Sequence, residues 1–171
     1  MPQIVFEDEC MPLRRYVFIE YSGPDPFAWT REGTDILRSV FEVDTTGTGE
    51  PRWMWDWSGD PIQMYYNRLA SHKRTTGRFS RIVVGIKMVG FKYKTKNEGN
   101  FRMELEPIVR HEFKANNRVV LFFWWIYWHI FYKHIRQSMI QRCKDMVKKF
   151  VEVIKEIYSM GSLEVENIEN I

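Results

Sequence analysis

Two cysteines, Cys10 and Cys143, are all that the 171 residues carry. They stand far apart in the chain and form no Cys-x-x-Cys pair, so a disulfide scaffold is not expected and a reducing, cytoplasmic interior fits best. Ten Gly and seven Pro are too few for a collagen-like chain. The longest apolar run, Val119–Tyr132, falls short of the roughly 20 residues that span a bilayer. The N-terminus has neither a basic start nor a long apolar stretch, and no cleaved signal peptide is expected.

The chemical signatures are also missing. Thr46-Gly-Thr-Gly49 lacks the Lys that would follow in a phosphate loop. There is no Gly-x-Ser-x-Gly and no His-Glu-x-x-His. His72, His111, His129 and His134 share no metal-ligand spacing. RNA-recognition, zinc-finger and helix-turn-helix patterns are absent. No catalytic residue, metal or cofactor is therefore expected. His111 is the first candidate should a general base be needed.

What remains is aromatic and charged. Twelve Phe, eight Tyr and seven Trp make up 16% of the chain, against 44% hydrophobic and 27% charged residues overall. This is the composition of a folded domain rather than a disordered chain. The net charge of +3 conceals an uneven distribution. Residues 1–60 sum to −7, residues 61–149 to +14 and residues 150–171 to −4. The basic middle either pairs with the acidic ends or presents a positive face to phosphates.

Periodicity predicts the elements. Residues 14–22 read as an aromatic and β-branched strand. Asp25-Pro26 opens a helix carrying Phe27, Ile36, Leu37, Val40 and Phe41 at helical spacing, and Gly33 within it suggests close packing. Trp53, Trp55 and Trp57 alternate, so a strand places all three on one face. Strands follow at 62–72, 79–94 and 101–113, the last two joined by the hairpin signal Asn97-Glu-Gly-Asn100. Pro107 implies an edge or a bulge in the last strand. From about 117 to 160 nothing breaks a helix. The expectation is one α+β domain over 1–160, with an antiparallel sheet of about five strands in the order β-α-β-β-β-β-α packed against a long C-terminal helix, and a polar tail at 161–171.

Three places attract a functional reading. The run 119–132 has no formal charge, is apolar around the helix, and is followed by Lys133, His134 and Arg136. It is a core helix, a membrane-surface element or the wall of an apolar pocket. The Trp53/Trp55/Trp57 ladder is core packing or, beside basic strands, a stacking platform for single-stranded nucleic acid. The turn at His72–Arg78 is a solvated hairpin tip or a phosphate contact. The candidate ligand-binding residues are thus Trp53, Trp55, Trp57, Trp125, Trp128, Tyr132 and His111. The candidate anion-binding residues are Lys73, Arg74, Arg78, Arg81, Lys133 and Arg136.

The order of elements over about 14–160 resembles a START-type, or helix-grip, domain. That resemblance is architectural and implies a sheet curled around the last helix with an apolar cavity between them. The combination of Trp53/Trp55-Asp56, Asp60-Pro61 and Trp125–Tyr132 before a basic helix also resembles small archaeal α+β proteins with no assigned activity. The expected function is non-enzymatic binding of a lipid or other amphipathic small molecule, or of an anionic membrane surface, through the aromatic helix. The alternatives are a homodimer or larger homo-oligomer and, with less support, a nucleic-acid binder.

Overall fold

The computed structural model describes residues 3–11, 15–73, 79–114 and 117–166. Its elements run β1 (Gln3–Glu9), β2 (Val17–Pro24), α1 (Ala28–Phe41), a 3-10 turn (Thr45–Gly47), β3 (Thr48–Asp56), β4 (Ile62–Lys73), β5 (Ser80–Lys92), β6 (Glu98–Lys114), α2 (Arg118–Ile130), α3 (Lys133–Ile157) and β7 (Ser162–Glu166). The class is α+β, as expected. The strand count is corrected from about five to seven among the described residues, all in one sheet.

The sheet runs β3-β4-β5-β6-β2-β7, with β1 also paired to β6. Every described pairing is antiparallel. The 17-residue β6 organises it. On one side it pairs with β5 along most of its length. On the other, β1 takes residues 108–114 and β2 takes 98–105. Pro107 lies at the handover between these two partners, where its carbonyl accepts from the Cys10 N–H. A missing donor breaks no ladder bond at such a seam, so this proline is neither at an edge nor in a bulge.

Strict alternation gives the sheet two faces. Val17, Ile19, Tyr66, Ile86, Met103 and Leu105 point to one side and are buried. Against them pack Trp29, Leu37 and Phe41 of α1 and Met139, Val147 and Phe150 of α3, all in one continuous core. The Trp29 ring stands perpendicular to both Tyr66 and Phe150, with centroids 5.8 and 5.6 Å away. Gly33 lies under that ring, where a Cβ would be 3.3 Å from it, so the close packing suggested by the sequence is present. The chain end of α3 is tied to the start of α1: the Tyr158 hydroxyl donates to the Pro26 carbonyl at 2.9 Å and accepts from the Trp29 N–H at 3.1 Å.

Three expectations change. Helix 117–160 is two helices, α2 and α3, and residues 162–166 of the polar tail form an edge strand beside β2. The cysteines are bonded: Cys10 and Cys143 form a disulfide with an S–S distance of 2.05 Å. A separation of 133 residues in sequence says nothing about separation in space. Cys143 sits on the apolar stripe of α3, which faces the end of β1, and both cysteines are buried. Disulfides persist in oxidising compartments and in the interiors of hyperthermophiles, so the cysteines no longer support a reducing cytoplasm.

The acidic first third finds its partners in the basic middle. Glu20 pairs with Arg102 at 3.3 Å, Asp25 with Lys92 at 3.2 Å, and Asp8 with Arg136 at 2.6 Å. Glu42 reaches Arg142 on α3. Much of the +14 segment is thus compensated within the fold.

Candidate functional site

The break between α2 and α3 builds the first feature. No Gly or Pro lies between 118 and 160, so the cause is tertiary rather than local. The N–H groups of Phe131 and Tyr132 both bond to the Tyr127 carbonyl, at 3.0 and 2.9 Å. The second of these spans five residues and opens the helix by a π-type turn. Trp128, Tyr132 and Arg136 continue one face across the break. The Trp128 and Tyr132 rings stack at 5.2 Å, and the Arg136 guanidinium lies 4.4 Å over Trp128.

Below this face runs a chain of polar groups on the inner side of the sheet. The Asp8 carboxylate of β1 takes a bidentate pair from Arg136, with Nη2 at 2.6 Å and Nε at 2.8 Å. His111 of β6 places Nε2 3.1 Å from Asp8 Oδ2 and Nδ1 2.7 Å from the Ser80 hydroxyl of β5. Ser80 also bonds the Tyr132 hydroxyl. Burial alone would push the Asp8 carboxyl up, but the hydrogen bonds from His111 and Arg136, with the charge of Arg136, outweigh it and hold Asp8 well below the usual carboxylate range. The same hydrogen bond raises Arg136. His111 is fully buried with both ring nitrogens bonded. A Ser-His-Asp line of this kind needs an exposed hydroxyl to act as a nucleophile, and Ser80 is buried beneath Tyr132. The chain therefore reads as a satisfied polar network that fixes β1, β5, β6 and the α2–α3 joint together.

On this foundation α2 is seated by one side only. Trp128 packs on Phe6 of β1 at 4.8 Å and on Phe113 of β6 at 5.4 Å, and Trp124 packs on Phe113 at 4.4 Å and Phe79 at 4.9 Å. Asn117 caps the helix by accepting from the Val120 N–H at 2.8 Å. The other sides are open. Val119, Leu121, Phe122, Phe123, Trp125 and Ile130 are 44–64% exposed, and Phe131 beyond the last turn is 64% exposed. Phe6, Val5 and Phe79 add exposed apolar surface at the same end.

The second feature is a trough of about 1260 Å³ on the face of the sheet away from the helices. Two rows of outward residues cross six strands to form it. One row is Met54, Tyr65, Val89, Arg102, Glu20 and Glu164. The other is Asp56, Gln63, Phe91, Asn100, Ser22 and Ser162. At its base β5 and β6 close tightly. A Cβ on Gly90 would stand 2.5 Å from the Asn100 carbonyl oxygen, so only glycine fits there.

The residues singled out from sequence separate into groups. Trp128, Tyr132 and His111 are brought together, in the buried seat of α2. Trp125 lies on the open side, and Lys133 follows it as an exposed residue. Trp53, Trp55 and Trp57 do share a face, the inner one, at the β3 edge: Trp55 packs edge-on to Phe27 at 5.3 Å, while Trp53 and Trp57 are exposed. They are not near α2. Arg81 pairs with Glu112 and Arg136 with Asp8. Arg74 and Arg78 lie outside the described residues, as does the Lys73 side chain. The sequence reading missed Asp8, Ser80 and Phe6, and of the residues lining the trough it named only Trp53 and Trp55, at the β3 edge, as binding candidates. The signal for Asp8 was the alternation of Ile4, Phe6 and Asp8 in a strand too short and too acidic to be recognised. Among the described residues no His/Cys/Asp/Glu group could hold a metal, and no helix is long and apolar enough to cross a membrane. No family model and no curated protein matches the chain.

Proposed function

We propose that this protein is a peripheral binding protein that inserts α2 into the headgroup–acyl boundary of an anionic membrane. The observation that carries this reading is the open side of α2: seven large apolar side chains, from Val119 to Phe131, held outward on a rigid base. A solvent-facing helix normally turns its polar side outward, and α2 has almost none. Trp and Tyr favour the membrane boundary, and a helix of 13 residues lies in that boundary without crossing it.

Charge supports the same choice of surface. Between Glu112 and Asp145 there is no acidic residue, while Lys114, Arg118, Lys133, Arg136, Arg142 and Lys144 lie in that interval. Arg136 and Arg142 are held by carboxylates, which leaves Arg118 and Lys133 at the two ends of α2 for anionic headgroups. Full burial of one such side chain is worth about 1.5–3 kcal/mol, so partial insertion of several suffices for reversible binding. The helix-grip likeness belongs to the same proposal: the antiparallel sheet against a C-terminal helix supports it. The trough, however, is on the opposite face from the cavity that likeness implies.

Vesicle flotation tests the reading. The wild type is expected to rise with phosphatidylserine-containing vesicles and less with phosphatidylcholine alone. Phe122→Asp with Phe123→Asp is expected to abolish flotation without unfolding the chain, because both residues are exposed. Equal flotation of the variant and the wild type would sink the proposal.

A further inference from the structure

We propose that, away from a membrane, α2 of one copy docks into the outer-face trough of a second copy, so that the chain assembles head to tail. The inference rests on the reading of α2 as the binding element and adds the surface that receives it.

Dimensions agree first. The trough crosses six strands, and five spacings of about 4.8 Å make it roughly 24 Å wide. From Arg118 to Lys133 the helix advances roughly 22 Å at 1.5 Å per residue. The apolar floor matches too: Val89 and Met54 are about half exposed, Tyr65 lies between them in one row, and Phe91 stands beside Val89 in the other.

Charge is the stronger argument. One wall carries Asp56, on β3, and the other carries Glu20 and Glu164, on β2 and β7. Arg102 is the one base in the two rows, 3.3 Å from Glu20. On a chain of net charge +3 the trough therefore has an excess of two negative charges. Glu20 and Glu164 stand directly opposite each other in the β2–β7 register, an arrangement that destabilises an antiparallel pair. Such a local conflict is found where a surface serves something other than its own fold. Arg118 and Lys133 bracket α2 at about the separation of the two acidic walls and supply the opposite sign at each. The docked helix would bury the aromatic belt that α2 leaves in water.

A chain does not reach its own trough. The seat of α2 is at Phe113, and the trough meets β6 at Asn100 and Arg102, roughly 40 Å away along one strand. Giver and receiver are thus different patches, and a head-to-tail contact of that kind runs on from copy to copy, closing into a ring or staying open according to the rotation between them.

Two variants and their mixture test the inference by light scattering. Wild-type mass is expected to climb with concentration, from micromolar to hundreds of micromolar, without a plateau at two copies. Phe122→Asp/Phe123→Asp removes the giver, and Val89→Lys/Glu164→Lys removes the receiver; each alone is expected to be monomeric. Mixed in equal amounts they are expected to double in mass and stop there, because one intact helix and one intact trough remain. Met54→Lys/Glu164→Lys is a second receiver variant should the first melt early. A monomeric wild type, a receiver variant that still assembles, or a mixture that stays monomeric would each overturn the docking. The receiver variants keep α2, so their flotation on anionic vesicles separates failure of the docking from failure of the membrane reading.

Discussion

Two helices follow one another with two residues between them, and they have opposite fates. In α3, Met139, Cys143, Val147, Phe150 and Ile154 form one stripe, and all are buried while the lysines face out. In α2, apolar residues occupy every side, the sheet covers one, and the rest stay in water. An amphipathic helix is completed by its own fold, whereas a helix apolar all round is completed only by a second surface. The joint between them is held by the network from Asp8 to Tyr132, so α2 is presented on a fixed base rather than a loose tether.

Substituting the same residue type in each helix sharpens the contrast most. Phe150→Ala in α3 is expected to cost about 3–5 kcal/mol in denaturant unfolding, since it opens a cavity beside Trp29 and Phe41. Next comes the tie between α3 and the sheet. Cys10→Ser with Cys143→Ser is expected to cost about 2–5 kcal/mol, and adding reductant to the wild type should bring its unfolding midpoint to that of the variant.

The joint gives a smaller effect with a pH signature. Asp8→Ala leaves Arg136 and His111 without their carboxylate and is expected to cost about 1–3 kcal/mol at neutral pH. Because the folded pKa of Asp8 lies below its unfolded value, the contribution is complete above the ordinary aspartate pKa of about 3.9. It is lost as the pH falls from there toward the depressed value. Wild type and variant should therefore converge in stability in acid; a constant difference down to strong acid would remove Asp8 from the network. Smallest is Phe123→Ala in α2, expected to change stability by no more than about 0.5 kcal/mol, while weakening vesicle flotation. A large loss of stability there would break the contrast between the helices.

The sequence carried the class, the strand-helix-meander order and the stripe of α3, because long periodic segments declare themselves. Gly33 and the Trp ladder also read correctly as a close contact and a shared face. Short strands were not legible: β1 holds three apolar residues before Glu7-Asp8-Glu9, and β7 is five residues of Ser-Leu-Glu-Val-Glu. Their pairing partners lie about 100 and 140 residues away, and local pattern does not encode such distances. The disulfide was hidden for the same reason. The α2–α3 break has no helix breaker to mark it, since tertiary anchoring of Tyr132 and Arg136 makes it. Exposure of α2 could not be read either, because an apolar run looks the same in a core and on a surface.

Position 123 itself offers the most direct test of the membrane role of α2. Phe123→Cys carrying an environment-sensitive dye should show blue-shifted, stronger emission when phosphatidylserine vesicles are added, while the same dye on Glu152→Cys, an exposed position of α3, should not respond. A dye at 123 that sees no change, under conditions where the protein is folded, would contradict the account.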